Sequence, residues 1–297
     1  MYDLIVTKKK NNKSKIFIIL LIICVILILF SIVGIKKINM DNNKDIQVAK
    51  ILDVNINIDT AIKIRQEKQE KEKLKNKDPL SQEQIEKISK IYTANDGKRV
   101  FLTFDDGPSK TVTPLILDLL KKENIKATFF VLGYNAERNP EILKRVYAEG
   151  HYIANHGYSH KYNEIYNSVD TVIYEYNKTE QCIKNALDNQ NYNSRVFRFP
   201  GGSVGGKYNQ IKQEAKEVLK QNNVAFLDWN ALSNDSAGAH TKEDIMDNIT
   251  KTVGEKNNVV ILMHDASDKI LTYETLQDVI NFLKNKGYMF KNLYDVL

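Results

Sequence analysis

The chain has 297 residues, which is enough for one large domain with accessory segments or for two small domains. Its formal net charge of +6 is carried entirely by residues 1–40, and the rest of the chain is net neutral. This distribution excludes the basic surface that a folded nucleic-acid-binding domain needs, so no nucleic-acid partner is expected. The two cysteines, Cys24 and Cys182, exclude a disulfide framework and a cysteine-rich zinc site.

The first predicted element is an apolar helix at 16–35. Only Ser31 and Gly34 interrupt its aliphatic, Phe and Cys residues, and its length matches the ~20 residues that span a bilayer core. No small-residue cleavage site precedes Lys36, which argues against a removed signal peptide. Residues 1–15 carry more lysines than acids, so the positive-inside rule places this basic head in the cytoplasm. We expect a single-pass anchor in the cell membrane, with the rest of the chain outside the cell.

Residues 36–97 predict an extracellular stalk or linker. Within it, 65–77 contains nine charged residues and a single apolar one, Leu74, and such a segment cannot bury a core. A further short helix is expected at 81–91. The segment lacks sustained a/d heptads, which disfavours a coiled coil that binds a partner.

From residue 98 to residue 297, short apolar runs alternate with segments of helical periodicity. This alternation predicts an α/β fold with a parallel sheet, open or closed into a barrel. The predicted strands lie at 99–104, 128–132, 195–199, 224–229 and 259–263. The predicted helices lie at 113–123, 140–149, 169–185, 211–222, 242–256 and 273–286.

Polar side chains follow several of these strands. Asp105 and Asp106 end the first strand, where one carboxylate can ligate a metal while the other accepts a proton, although Asp-Asp-Gly-Pro-Ser is also typical of a turn. His156 and His160 have a spacing that lets both imidazoles reach one cation, on a helical turn or in a loop that folds back. His151, shortly before them, strengthens the case for a metal site. A glycine instead of a glutamate follows His156, which disfavours the HExxH metalloprotease.

The later strands end in the same way. Arg198 emerges near the end of the third predicted strand and can hold a carboxylate by two hydrogen bonds, and the glycines after it let a backbone N–H approach a ligand. Asp228, Trp229 and His264 lie at the ends of the last two predicted strands. The carboxyl ends of parallel strands form the edge where α/β folds build active sites. Two aspartates, three histidines and one arginine at this edge predict a metal-dependent hydrolytic site.

With these residues identified, the chain from 98 to 297 resembles the polysaccharide deacetylase family, also called the NodB homology domain or carbohydrate esterase family 4. Five motifs appear in order: TFDDGPS at 103–109, NHGYSH at 155–160, RFPGG at 198–202, a Trp-containing motif at 228–235 and LMHD at 262–265. The resemblance implies a distorted (β/α) barrel of about seven parallel strands as the catalytic domain. It also implies one divalent metal ion, commonly Zn²⁺, while the nitrogen and oxygen ligands also suit Co²⁺, Ni²⁺ or Mn²⁺.

The resemblance assigns the metal site and the base. It implies that Asp106, His156 and His160 bind the metal, and two histidines with one carboxylate leave positions open for water and substrate. Asp105 is expected to take the proton of the attacking water, and Arg198 is expected to orient Asp105.

The remaining roles follow from the same resemblance. The backbone N–H of Gly201 is expected to stabilise the oxyanion, and His264 to protonate the leaving amine. Trp229 and Leu262 are expected to line the pocket for the acetyl methyl group.

The fourth motif departs from the family pattern. Many members have an aspartate three residues after the tryptophan that supports the catalytic histidine, and here Leu232 occupies that position. Either Asp228 or Asp235 is therefore expected to support His264. The Asp-Trp-Asn sequence at 228–230, together with RFPGG, resembles the membrane-anchored peptidoglycan deacetylases of Gram-positive bacteria.

The expected function is removal of N-acetyl groups from peptidoglycan amino sugars at the cell surface, which gives free amines and acetate and contributes to lysozyme resistance. One alternative is a deacetylase of another acetylated glycan, such as a chitin oligomer, an exopolysaccharide or an O-acetylated polymer. Another is a catalytically inactive glycan-binding module, which the presence of the aspartates and histidines disfavours. A non-haem iron oxygenase shares the two-histidine, one-carboxylate set but normally uses a double-stranded β-helix, which the βα alternation does not fit.

Overall fold

The computed structural model describes residues 78–95 and 97–297. The predicted head at 1–15, the anchor at 16–35 and most of the predicted stalk lie outside these residues and stay predictions. Among the helices that the structure describes, none combines the length and the apolar character needed to cross a membrane.

The described part of the chain contains eight strands and nine α-helices in a largely alternating order. The strands are β1 (Arg99–Asp105), β2 (Thr128–Val131), β3 (Tyr152–Asn155), β4 (Val196–Phe197), β5 (Ala225–Phe226), β6 (Ala231–Leu232), β7 (Asn258–His264) and β8 (Met289–Lys291). The helices are α1 (Gln82–Ser89), α2 (Thr113–Lys122), α3 (Gly133–Arg138), α4 (Pro140–Ala148), α5 (Tyr162–Ile165), α6 (Val169–Ala186), α7 (Asn209–Gln221), α8 (Lys242–Val253) and α9 (Ile270–Asn285). A 3₁₀ turn follows at Leu293–Asp295.

Several helices begin where their sequences supply a cap. Ser81, Ser168 and Thr241 accept a hydrogen bond from the third helical N–H of α1, α6 and α8, and in each case the side chain of that third residue bonds back. These reciprocal bonds satisfy N–H groups that a helix start otherwise leaves unpaired.

All the strands pair in parallel, in the order β5-β4-β3-β2-β1-β7-β6. β8 pairs with the first three residues of β1, and β2 pairs with the last three. The path ends at β5 and β6, which do not pair with each other among the described residues. The predicted parallel βα architecture is confirmed, as an open half-barrel of seven strands on one path with β8 beside it.

The two faces of the sheet are separated by the alternation of side chains along each strand. From β1, Val100, Leu102 and Phe104 enter the main cluster of buried residues, together with side chains of α2, α4, α8 and α9. Phe101 points to the inner face instead, where it belongs to a second buried cluster. By the same alternation, Asp105 at the end of β1 faces the interior of the half-barrel.

The five predicted strands are all present, but β3, β6 and β8 were not predicted. β3 has four residues, and its apolar run extends only from Tyr152 to Ala154, so it is too short to show a clear period. It becomes a strand because β2 provides a parallel partner along its full length. This missed strand supports the loop that carries the two histidines of the second motif.

The packed domain extends further towards the N-terminus than its predicted start at residue 98. The predicted helix at 81–91 appears as α1, but it does not belong to a solvated linker. Ile88 and Ile91 are each 1% exposed and Leu80 is 2% exposed. All three pack into the cluster on the inner face of the sheet, so α1 is part of the folded core.

Candidate active site

Three potential metal ligands meet at the carboxyl edge of the sheet. Asp106 follows β1, and His156 and His160 lie in the loop after β3. Asp106 Oδ1 is 3.5 Å from His156 Nε2 and 3.4 Å from His160 Nε2. The three ligand atoms all lie within 4.8 Å of one another. The histidines therefore reach one point from a loop that folds back, with His160 in the left-handed backbone region at φ +58°.

The residues present fit a divalent cation. Ligands at ~2.1 Å from a tetrahedral zinc ion are ~3.4 Å apart, which is close to the distance of Asp106 Oδ1 from each histidine Nε2. Asp106 Oδ1 is buried and has no hydrogen-bond partner among the described residues. His156 Nδ1 donates to the carbonyl oxygen of Arg198 at 2.8 Å, which leaves the Nε2 lone pair directed at Asp106. Burial, with His160 and Arg198 nearby, holds the pKa of His156 well below its usual value, so the ring is neutral as a ligand must be.

Asp105 is held by a fully buried arginine. Arg198 Nη1 donates to Asp105 Oδ1 at 2.7 Å and to Thr103 Oγ1 at 2.7 Å. Nε donates to the carbonyl oxygen of Leu227 at 2.9 Å, and Nη2 to that of Asp228 at 3.0 Å. The carboxylate thus receives one hydrogen bond from the guanidinium, and the remaining bonds immobilise the arginine itself.

The position and ionisation of Asp105 suit a proton acceptor. Its Oδ2 lies 3.6 Å from His156 Nε2, so the carboxylate faces the potential metal site. Burial raises the pKa of Asp105 to about 6, although Arg198 and His264 oppose this increase. A general base works best when its pKa lies near the working pH, and burial moves the pKa of Asp105 towards neutrality.

His264 lies opposite Asp105 because β1 and β7 pair in register at these two residues. Asp235 supports His264 through both of its carboxylate oxygens. Asp235 Oδ1 is 2.7 Å from His264 Nδ1. Asp235 Oδ2 accepts hydrogen bonds from the His264 backbone N–H at 2.8 Å and from Thr272 Oγ1 at 2.6 Å. Asp228 instead accepts hydrogen bonds from the backbone N–H and the hydroxyl of Ser203. The structure thus decides between the two candidate carboxylates in favour of Asp235.

The carboxylate of Asp235 also sets the protonation of His264. Burial alone would lower the pKa of His264, but the hydrogen bond and the charge of Asp235 raise it to about 9, with Asp105 and Asp106 adding to the increase. The ring is therefore protonated at neutral pH and available as a proton donor.

Gly201 presents a backbone N–H at the edge of the site. No hydrogen bond among the described residues uses this N–H. The carbonyl of the same peptide, that of Pro200, accepts from the Tyr166 hydroxyl at 2.7 Å. Because the C=O and N–H of a trans peptide point in opposite directions, this bond directs the Gly201 N–H away from Tyr166.

The two predicted pocket residues lie near the ends of the later strands. The ring of Trp229 packs against Gly202, where an added Cβ would lie 3.2 Å from the ring. Leu262 is on β7, in register with Thr103 and one strand away from Leu232. It is 9% exposed, so its side chain is almost completely buried.

Comparisons with known proteins identify the family of the chain. The family model described as polysaccharide deacetylase matches residues 93–224. The peptidoglycan-N-acetylmuramic acid deacetylase PdaA of Bacillus subtilis is 32% identical over 223 residues, which cover 72% of this chain and 77% of the relative. The chain belongs to the polysaccharide deacetylase family.

Two further relatives of this family extend the comparison. The peptidoglycan-N-acetylglucosamine deacetylase PgdA of Listeria monocytogenes is 33% identical over 210 residues, which cover 69% of this chain and 40% of the relative. The chain thus spans 40% of the length of that relative. The solved structure of a Streptococcus mutans CE4 esterase superposes with a TM-score of 0.63 and 32% identity, covering 70% of this chain and 90% of the esterase.

Sequence reasoning missed the residue that shapes the loop carrying His156 and His160. Glu175, on α6, is 6% exposed. Its Oε2 accepts from the backbone N–H groups of Tyr158 and Ser159 at 3.0 and 3.1 Å, and its Oε1 accepts from the Ser159 hydroxyl at 2.5 Å. One buried carboxylate therefore fixes the segment between His156 and His160. Glu175 is close in sequence to the second motif, but only packing of α6 against the loop reveals its role.

A second buried carboxylate of α6 supports the start of the same loop. Glu180 Oε1 accepts from Asn155 Nδ2 at 2.9 Å, and Asn155 Oδ1 accepts from the backbone N–H of Gly157 at 3.0 Å. His151, by contrast, lies at the opposite end of β3, where its Nδ1 accepts from the backbone N–H of Ala127. It is fully buried and takes no part in the site, so its nearness in sequence was misleading.

We expect Glu175→Ala to weaken binding of Zn²⁺ by about 10- to 100-fold, since outer residues that orient metal ligands commonly contribute this much. The purified chain would be titrated with Zn²⁺ against a competing chelator. Glu164→Ala is the control, because Glu164 pairs with Lys161 on the surface beside the same loop. The contrary result is a Glu175→Ala protein with a lower melting temperature but with the Zn²⁺ affinity of the wild type. It would show that Glu175 does not position the ligands.

Proposed function

We propose that this chain is a metal-dependent deacetylase that removes N-acetyl groups from the amino sugars of peptidoglycan. The observation that carries the proposal is the arrangement of Asp105 and His264. Asp105 is a buried carboxylate beside the three potential metal ligands, and His264 lies in register with it on β7, hydrogen-bonded to Asp235. The relatives named as peptidoglycan deacetylases support the choice of substrate.

Asp106, His156 and His160 would hold the metal. A bound divalent ion supplies a Lewis acid that polarises the acetamide carbonyl and lowers the pKa of a water molecule. Asp105 takes a proton from the attacking water as the new C–O bond forms. Arg198 keeps Asp105 aimed at the site, because every one of its hydrogen bonds is to an internal group.

The remaining residues act on the tetrahedral intermediate. The carbonyl oxygen gains negative charge and accepts a hydrogen bond from the Gly201 N–H. This donor is already oriented before substrate binds. His264 then donates its proton to the amide nitrogen as the C–N bond breaks, with Asp235 stabilising the charged ring. The products are acetate and a free amine on the sugar. Trp229 and Leu262 would contact the acetyl methyl group.

We propose zinc as the resident metal. Two imidazole nitrogens and one carboxylate oxygen within 4.8 Å of one another, with further positions open, match the ligand set of catalytic zinc. The same ligands accept Co²⁺, Ni²⁺ and Mn²⁺, so metal content of the purified protein has to be measured.

We further propose that the domain acts at the outer surface of the cell membrane. The apolar segment 16–35 would anchor the chain, and the polar residues that follow would hold the domain near the wall. A membrane-bound enzyme remains beside an insoluble polymer that cannot diffuse to it. Free amines on the glycan would then contribute to lysozyme resistance, which a deletion strain tests.

Acetate release by the purified full chain, kept in detergent, tests the activity. We expect release from purified peptidoglycan that a chelator abolishes and that added Zn²⁺ restores. Mass spectra of the digested muropeptides would then identify N-acetylglucosamine or N-acetylmuramic acid as the deacetylated sugar. Chitin oligomers tested in parallel distinguish a deacetylase of other glycans. A folded, metal-loaded chain that binds peptidoglycan but releases no acetate from any glycan would contradict the proposal.

A further inference from the structure

An exposed tyrosine lies beside the potential metal site and has no part in the mechanism above. Tyr162 is the first residue of α5 and directly follows the histidine loop. Its side chain is 42% exposed, and the centroid of its ring is 5.5 Å from that of His160. A large apolar ring at this place is open to whatever binds next to His160.

The hydroxyl of Tyr162 is directed at Gly201. A Cβ added to Gly201 would lie 2.6 Å from this hydroxyl oxygen and 3.0 Å from the ring carbon that bears it. No side chain other than glycine therefore leaves room for the phenol where it lies. The absence of a side chain at 201 lets the hydroxyl come close to the peptide that carries the proposed oxyanion donor.

A second tyrosine, Tyr166, fixes the peptide between Pro200 and Gly201. Tyr166, one turn after Tyr162, is 1% exposed and donates its hydroxyl proton to the carbonyl of Pro200. The rings of Tyr162 and Tyr166 are 5.9 Å apart. The residue that follows α5 thus anchors the Pro200–Gly201 peptide, and the first residue of α5 has its hydroxyl next to that peptide.

This hydroxyl has no hydrogen-bond partner among the described residues, so its hydrogen-bonding capacity is available to a bound molecule. It carries one donor hydrogen and can serve an oxygen of a bound molecule. Gly201 lies next to the hydroxyl and His160 lies next to the ring, and the proposed reaction uses both residues.

We propose that Tyr162 is a substrate-contacting residue, whose hydroxyl donates a hydrogen bond to an oxygen of the N-acetylated sugar on the Gly201 side of the site. The inference rests on the proposed deacetylase function. The proton stays on the tyrosine throughout, so the balance of the hydrolysis is unchanged. The hydroxyl supplies binding and orientation where the backbone of Gly201 has no side chain to do so.

The test compares Tyr162→Phe and Tyr162→Ala in the full chain, with acetate release from peptidoglycan as the assay. We expect kcat/KM to fall by about 10-fold or more in both variants, because one hydrogen bond to the substrate is lost in each. Zn²⁺ affinity and melting temperature of Tyr162→Phe should equal those of the wild type. Tyr174→Phe is the control: Tyr174 is 61% exposed on α6, and its loss of a hydroxyl should leave kcat/KM unchanged.

Three results would overturn the inference. The first is a kcat/KM of Tyr162→Phe within twofold of the wild type. The second is a loss in Tyr162→Ala alone, which would mean that the ring and not the hydroxyl contacts the sugar. The third is a loss that accompanies weaker Zn²⁺ binding, which would mean that Tyr162 acts through His160. If the wild-type chain itself releases no acetate, the proposed function fails, so the two failures are distinguishable.

Discussion

Asp105→Asn is expected to lower kcat for acetate release by about 10²- to 10⁴-fold, the range that a positioned general base contributes. The amide keeps an oxygen that can accept the hydrogen bond of Arg198 but cannot take a proton from water. Asp106, His156 and His160 are unchanged, so metal binding should persist. The measurement is steady-state acetate release on peptidoglycan, with metal content determined on the same samples.

The metal content makes this result interpretable. Asp105 Oδ2 lies 3.6 Å from His156 Nε2, so the assay has to separate an effect on the metal ligands from an effect on proton transfer. A variant that retains metal and loses activity assigns the proton transfer to Asp105. Activity within about 10-fold of the wild type in a metal-loaded Asp105→Asn protein would remove Asp105 from the role of base.

Asp235→Asn should have the second large effect, a fall of about 10²- to 10⁴-fold in kcat/KM, because His264 loses the carboxylate that orients and charges it. Asp235 also accepts hydrogen bonds from the His264 backbone and from Thr272. An amide cannot accept from all three donors, so we also expect a loss of about 1–3 kcal/mol in the free energy of unfolding.

The pH profile distinguishes loss of the proton donor from general damage. His264 must be protonated to act, and that form exists below its pKa, which Asp235 raises to about 9. Removing the carboxylate lowers this pKa, so the alkaline limb of the kcat/KM profile should move to lower pH. Asp228→Asn is the matched control, since Asp228 bonds to Ser203 and does not contact His264. An unmoved alkaline limb in Asp235→Asn would argue that His264 is not the acid.

Much of the site could be predicted because its residues follow strands directly. Asp105, Arg198 and His264 each lie at the end of an apolar run, and parallel pairing brings all such ends to one edge. Two-residue alternation then directs alternate side chains to the interior. These relations depend on local sequence and on a general property of parallel sheets, and both are visible without coordinates.

The supporting carboxylates could not be predicted in this way. Asp228 and Asp235 flank the same predicted strand end, and only the insertion of β6 beside β7 carries Asp235 to His264 and leaves Asp228 with Ser203. In the sequence, nothing distinguishes Glu175 from the other acidic residues of α6. In the structure, packing of α6 buries Glu175 against the loop that carries His156 and His160.

The sequence by itself determined the family, the parallel βα architecture and the identities of the residues proposed to bind metal and transfer protons. Tertiary structure alone decided that Asp235 raises the pKa of His264 and that Glu175 shapes the loop carrying His156 and His160. It also decided that α1 belongs to the core. It also placed the Tyr162 hydroxyl in the space left by Gly201. The physical reason is that strand ends converge by a periodic rule, whereas contacts between a loop and a distant helix depend on how side chains of particular size and charge pack together.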